Sequence, residues 1–206
     1  RLIQKYGIPK EWTLSEKTIK QYISILKQND PVKRLRMLEE LKQDFEAYPP
    51  YHYYYSVAAQ EAGQIERAKA AFKKYEGVRG RYFKEDVFYS SSLMNFISLL
   101  DVNRDSRIIK AYLSALSKES RWDWRKNIFV SMYFINYGQF DGAKKILQSN
   151  IDRDEGVPLS LGLQGQMYAL KGDGKEFEST LSKMLSDDRV KNQDILYLLG
   201  SVPEHK

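Results

Sequence analysis

At 206 residues, 42% apolar and 29% charged, the chain can bury a real core, and its 13% aromatic content excludes a disordered chain. It has no cysteine and two histidines, which excludes disulfides and a cysteine nucleophile and leaves too few imidazoles for the usual catalytic zinc. Net charge is +6 and uneven: residues 150–206 carry 7 Lys/Arg and 10 Asp/Glu, residues 1–149 the other 26 and 17, so a basic body of +9 precedes an acidic end of −3. Such a body would favour anionic partners, or is simply a solvated Lys-rich helix surface.

No apolar run approaches the length of a membrane span, and "RLIQKYGIPKEW" lacks a signal-peptide core. Because Arg1 is not an initiator Met, the chain is expected to be a fragment or processed part of something longer. The expected compartment is the cytoplasm, with periplasmic and secreted settings open because an address signal would precede Arg1.

Residues 15–28, "SEKTIKQYISILKQ", place Ile19, Tyr22, Ile23 and Leu26 on one helical stripe, with Ser15 as N-cap. "NDP" ends that helix, and Pro31 opens the next at its first turn. The second helix carries Val32, Leu35, Leu38, Leu41 and Phe45. "YPP" at 48–50 ends it, since Pro50 disfavours a helical residue before it. A helix through 51–62 stops at Gly63, and residues 64–76 form another with Ile65, Ala68, Phe72 and Tyr75 on one face. Helices follow near 84–101, 105–119, 123–137, 139–149, 158–171, 174–186 and 191–199. No alternating strand pattern occurs, so the reading is all-α, built from antiparallel helix pairs with short turns.

Two turns match each other. Residues 62–72, "AGQIERAKAAF", and 137–147, "YGQFDGAKKIL", both read Gly-Gln-apolar-x-x-Ala-Lys, with their glycines 75 residues apart. In "KGDGKEFESTL" at 171–181, Gly172 lies 34 residues after Gly138, and the "NDP" turn lies about 33–34 before Gly63. The longer gap is two repeats plus a short insertion, placed in "EGVRGRYF". A period near 34–38 is a solenoid signature. Gly closes the first helix in the left-handed conformation, and the small Ala lets the second helix approach it. Each pair leaves an apolar face that stacking would cover.

On these residues the sequence resembles the tetratricopeptide repeat. That repeat has a small residue at its eighth position, an aromatic at its eleventh, and a turn glycine followed five later by alanine. The 158–191 unit supplies Gly165 and Tyr168. The 124–157 unit supplies Ser131, Phe134, Gly138 and Ala143, and the 49–82 unit Ser56, Ala59, Gly63, Ala68 and Phe72. The resemblance covers roughly 49–190; the 15–47 and 84–119 pairs are assigned mainly by spacing. Phe177 stands where Ala is expected, and Gln164 where a large apolar residue is expected. The resemblance implies a right-handed α-solenoid, tetratricopeptide-like, with 1–206 as a single domain of about five helix pairs plus a closing helix. The pentatricopeptide repeat, an RNA-binding relative, resembles "AGQIERAKAAF" nearly as well, and a non-repeating bundle is the remaining alternative.

Several constellations fall short of a site. "DVNRDSRIIKAY" at 101–112 imitates a calcium loop through Asp101, Asn103 and Asp105, but Tyr112 stands where the bidentate Glu is needed. It reads better as a helix turn capped by Asp105 or Asn103. "NIDRDEG" at 150–156 reads as a solvated turn. "SRWDWRKN" at 120–127 is the most nucleic-acid-like stretch, with Trp122 and Trp124 for stacking and Arg121, Arg125 and Lys126 for phosphates, yet a capped helix start explains it as well. "KRLRM" and "VRGRYFK" are basic but interrupted by core positions. His52 has no second histidine or nucleophile near it in sequence and reads as structural.

The tyrosines of "YPPYHYYYS" divide by helical angle. Tyr51 and Tyr55 fall with Ala58, Ala59 and Ala62 on a packing face, and Tyr54 at its edge. Tyr48 is left unassigned. Tyr53, Val57 and Gln60 fall on the opposite side, where a tetratricopeptide-like solenoid lines its concave groove. The matching positions of the 124–157 unit are Arg125, Ile128, Met132 and Ile135. An exposed Ile-Met-Ile stripe is a fault in a lone bundle, but in a groove it receives an extended or helical peptide. Burial against another domain of a parent chain would account for it equally. The expected activity is non-enzymatic protein or peptide binding without metal or cofactor; RNA binding and an accessory role beside an enzyme domain are the alternatives.

Overall fold

A computed structural model describes residues 14–79, 86–119 and 123–200. Among these residues there is no strand, and eleven helices follow one another: α1 Glu16–Leu26, α2 Pro31–Glu40, α3 Pro49–Glu61, α4 Ile65–Arg79, α5 Tyr89–Ser98, α6 Ser106–Glu119, α7 Trp124–Asn136, α8 Phe140–Asp152, α9 Val157–Lys171, α10 Gly174–Ser186 and α11 Asn192–Gly200. The expected insertion "EGVRGRYF", the start of the helix near 84, and Arg121 and Trp122 lie wholly or partly outside the described residues. The chain divides into two compact units between Asp105 and Ser106.

Local chemistry sets the helix ends. The Ser15 hydroxyl accepts from the Thr18 amide at 3.0 Å. Asp30 Oδ1 accepts from Val32 and Lys33 amides at 2.9 and 3.1 Å, directly ahead of Pro31. α3 starts on Pro49, earlier than expected, because the first turn of a helix has no use for the N–H groups that Pro49 and Pro50 lack. α2 ends at Glu40, short of the expected 47. Tight i to i−3 bonds replace it, Leu41 N to Leu38 O at 3.0 Å and Asp44 N to Leu41 O at 3.1 Å, and they swing Phe45 into the core.

The three glycine turns share one hydrogen-bond pattern. Gly63, Gly138 and Gly172 have φ of +72, +68 and +74°, the left-handed region that penalises any Cβ. The amides after them, Gln64, Gln139 and Asp173, reach back to Ala59, Phe134 and Tyr168 carbonyls at 2.8, 2.7 and 3.0 Å. Those of the glycines reach Gln60, Ile135 and Ala169 at 3.0, 3.0 and 3.1 Å. This is the paired bonding of a Schellman cap, repeated three times.

Unit 1 is held by α1 to α5. Tyr22, Ile25, Leu35, Leu38, Leu41, Phe45, Tyr51 and Tyr55 form its centre with Ala58, Ala59 and Ala68. Tyr22 stacks on Phe45 with centroids 4.5 Å apart, and Phe72 stacks on Phe96 at 4.1 Å. The small residues do what the spacing predicts: Ala68 is fully buried, and its carbonyl accepts from Ser56 Oγ at 3.0 Å, so α3 and α4 lie close. One expected face is wrong. Ile19 and Ile23 are exposed and Ile25 is buried, because α1 is turned to seat the larger Tyr22 ring among Phe45, Tyr48, Tyr51 and Tyr54. Val32 and Ile65, also expected inside, are exposed at the starts of α2 and α4.

Unit 2 is held by α6 to α11. Ile135, Ala143, Leu147, Met167 and Tyr168 pack between α7, α8 and α9, and Val157, Leu161, Met184 and Leu198 between α9, α10 and α11. Asn150, expected in a solvated turn, is fully buried. Its Oδ1 accepts from Asn127 Nδ2 at 2.7 Å, and its Nδ2 donates to Trp124 O at 3.2 Å and Ser160 Oγ at 3.3 Å. The neighbouring acids stay at the surface while this amide ties three helices. Gln164 is buried too, donating to Gln148 Oε1 at 3.3 Å, so a polar residue takes the expected apolar place without losing its partner.

Candidate interaction surface

In unit 1 the predicted stripe lies on α3 beside α5. Tyr53 is half-buried, with its ring 4.9 Å from Phe88 and 5.1 Å from Tyr54. Burial pushes its hydroxyl up, and a hydrogen bond with Ser91 opposes the shift. Val57 is half-buried, and Gln60 Nε2 donates to Ser98 Oγ at 3.3 Å. The ring of Tyr53 is therefore partly covered by Phe88, a neighbour the sequence did not suggest. The rest of the tyrosine run sorts as its angles predict: Tyr51 and Tyr55 are buried and Tyr54 is half-buried. Tyr48, unassigned by sequence, is half-buried with its ring 6.4 Å from Tyr22.

In unit 2, Asp123 Oδ1 caps α7 by accepting from Arg125 and Lys126 amides at 2.9 and 3.4 Å. Arg125 is exposed, and its guanidinium lies 4.5 Å over the Trp124 ring, which gives the cation a fixed platform. Ile128 is half-buried against the α7–α8–α9 core, and Met132 is 48% exposed. Ile135 must be corrected: at 4% exposure it closes that core with Leu147 and Met167 and presents no surface to a partner.

The stripe also extends where the sequence reading did not follow it. Shifting Arg125, Ile128 and Met132 by 34 residues gives Leu159, Gly162 and Gln166 on α9, and Leu170 lies one turn beyond Gln166. Leu159 is 52% exposed and Leu170 48%. The spacing between Gly138 and Gly172 was the signal that could have found them. Beyond α9, Tyr197 on α11 is 77% exposed. Between α9 and α11 lies a notch of about 230 Å³ lined by Leu159, Gly162, Leu163, Gln166, Gln193 and Tyr197 among others.

A cleft of unit 1, about 460 Å³ between α2, α3 and α4, is lined by charges that satisfy one another. Lys74 pairs with Glu46 at 2.8 Å, Lys42 with Glu39 at 3.5 Å, and Tyr55 donates to Glu39. That tyrosine bond holds Glu39 below the usual carboxylate range, while burial, and then Glu39, push Tyr55 up to about 12. His52, buried at the cleft floor, has Nε2 2.7 Å from the Glu46 carbonyl, and desolvation lowers its pKa.

The calcium-like loop uses its carboxylates internally. Asp101 Oδ1 accepts from Asn103 and Arg104 amides at 2.9 and 3.0 Å, and Asp105 Oδ2 from the Asp101 amide at 3.0 Å. Among the described residues no cluster of His, Cys, Asp or Glu is arranged to hold a metal, and no helix is long and apolar enough to cross a membrane.

The fold has counterparts in solved structures. YrrB, described as a TPR protein with an unusual peptide-binding site, superposes with a TM-score of 0.70 at 16% identity, over 97% of this chain and 96% of its own. The fold is tetratricopeptide-like. MamA (41-end) from Desulfovibrio magneticus RS-1 matches the same fold at a TM-score of 0.70 and 19% identity, over 87% of this chain and 99% of its own. A MamA RS-1 double mutant matches at 0.67 and 17% identity. No protein-family model and no curated protein matches the sequence.

Proposed function

We propose that this chain is a non-enzymatic protein- or peptide-binding module. Its working surface is the exposed stripe of the first helices, α7 and α9 in unit 2 and the smaller Tyr53–Val57–Gln60 patch in unit 1. The observation that carries this reading is the set of exposed apolar side chains on the corresponding faces of two successive first helices, Met132 on α7 and Leu159 and Leu170 on α9. Each such side chain, about half exposed, forgoes roughly 0.7–1.5 kcal/mol of burial, and a group of them marks a surface that another molecule covers. Arg125, steadied on Trp124, adds a cation for an acidic group on the partner. YrrB, similar in fold, is described as having a peptide-binding site, which agrees with the reading.

The test is selection of short random peptides on the purified chain, repeated with Met132→Ala and Leu159→Ala combined. Both side chains are about half exposed, so the fold survives their loss. The reading expects peptides that bind wild type and are lost on the double variant. It also expects affinity nearly flat between ~50 and ~200 mM salt, whereas a nucleic-acid module would lose orders of magnitude. Peptides indifferent to both substitutions would overturn it, as would RNA binding that collapses with salt.

A further inference from the structure

One register position differs in an informative way between units. Ten residues before each turn glycine stand Tyr53, Ile128 and Gly162. Tyr53 and Ile128 are half-buried and fill the space beside their helices. Gly162 leaves it open: a Cβ there would meet nothing within 4 Å, and the backbone is not in the left-handed region. Neither close packing nor conformation requires glycine at this point, although glycine inside a helix costs about 0.5–1 kcal/mol relative to alanine. Gly165, three residues on, is the contrast, since a Cβ there would strike Leu198.

Gly162 is among the residues that line the α9–α11 notch. At about 230 Å³ the notch exceeds the ~150 Å³ of an apolar cavity that holds a benzene ring, so it accommodates one large side chain. Its lining is largely apolar, with two neutral amides, Gln166 and Gln193. The one charge on its lining, Asp194, has a carboxylate oxygen that accepts from the Lys191 amide at 3.0 Å. A site of this kind rejects a carboxylate, welcomes an apolar group, and offers amides to a passing backbone.

We propose that the notch is a specificity pocket for one large apolar residue of a bound peptide, Leu, Ile, Met or an aromatic, flanked by uncharged or basic residues. The partner supplies the side chain that Ile128 supplies to the preceding repeat and that Gly162 omits. This inference rests on the peptide-binding reading of the same surface.

The experiment uses synthetic peptides selected on the wild-type chain, titrated against wild type, Gly162→Phe and Tyr197→Ala. Gly162→Phe fills the notch from open space, and Tyr197 is too exposed to hold the fold; circular dichroism and melting verify both variants. Each should weaken binding roughly 10- to 100-fold, the worth of one buried large side chain. Replacing the shared apolar residue of the peptide by Ala should cost the same, and on Gly162→Phe it should cost nothing more, because the two changes remove one contact. Peptides lost on Met132→Ala and Leu159→Ala but unaffected by Gly162→Phe would overturn the pocket and leave the wider surface standing. Failure of any peptide to bind would overturn both. Self-association of the chain abolished by Gly162→Phe would assign the notch to a second copy, also overturning the proposal.

Discussion

Replacing Asn150 by Ala removes the amide that joins α7, α8 and α9. Asn150 and its partners Asn127 and Ser160 are all buried, so those two do not regain water when it goes. The Asn127 amide loses its acceptor at 2.7 Å, and Asn127 is itself only 8% exposed. Ser160 Oγ, fully buried, loses a donor at 3.3 Å, and the Trp124 carbonyl loses a second one at 3.2 Å. One stranded buried polar group costs about 1–3 kcal/mol, and the vacated volume adds a cavity term, so the sum is about 2–4 kcal/mol. In urea the midpoint should fall at unchanged slope. The Asn127→Ala single variant should cost less, and the double variant less than the sum by ~1 kcal/mol or more, because the two residues share one bond. Asn150→Ala within ~0.5 kcal/mol of wild type, or additive with Asn127→Ala, would refute the network as the tie between these helices.

Two glycines, Gly156 just before α9 and Gly162 inside it, should respond in opposite directions. Gly156→Ala puts a Cβ against the Trp124 ring at a φ of +56° and should lower the melting temperature, while Gly162→Ala meets open space and should raise stability by about 0.4–1 kcal/mol. His52 has its folded pKa lowered by burial, so the unfolded chain binds the extra proton. Its contribution is fully present above its unfolded value of 6.5 and is lost as pH falls, so melting temperature should drop between pH ~7.5 and ~5.5 and a His52→Gln variant should flatten the drop. Tyr22→Phe should be neutral or stabilising, because that hydroxyl is buried with no hydrogen-bond partner among the described residues. Tyr51→Phe should cost about 0.5–1.5 kcal/mol by deleting the bond to the Leu38 carbonyl at 2.8 Å, and equal effects in chemical denaturation would contradict this contrast.

The features legible in sequence were those governed by local rules. The turn glycines, Ser15 as a cap, Pro31 as a helix start, and the buried faces of Tyr51 and Tyr55 depend on residues within one or two turns. What escaped depends on distant partners. "IKQYISIL" offers two overlapping apolar stripes, and only Phe45, some twenty residues on, decides that Ile25 and not Ile23 is buried. Ile135 looked like surface by register, but the approach of α9, with Met167 and Tyr168, covers it. Asn150 stands in an acidic stretch with Asp152 and Asp154, both exposed, and that acidic pattern hid the burial of its amide. Phe88 over Tyr53 could not be read because the repeat spacing is interrupted between them. Leu159, Gly162 and Leu170 were legible in principle from the 34-residue spacing of Gly138 and Gly172.

The most direct measurement of the central claim is amide hydrogen exchange on the chain with and without a selected peptide. Binding through the first helices predicts new protection in 124–136 and 157–171, with 192–200 joining for peptides that fill the notch. Protection confined to the second helices, 140–152 and 174–186, or no change in either set, would contradict it.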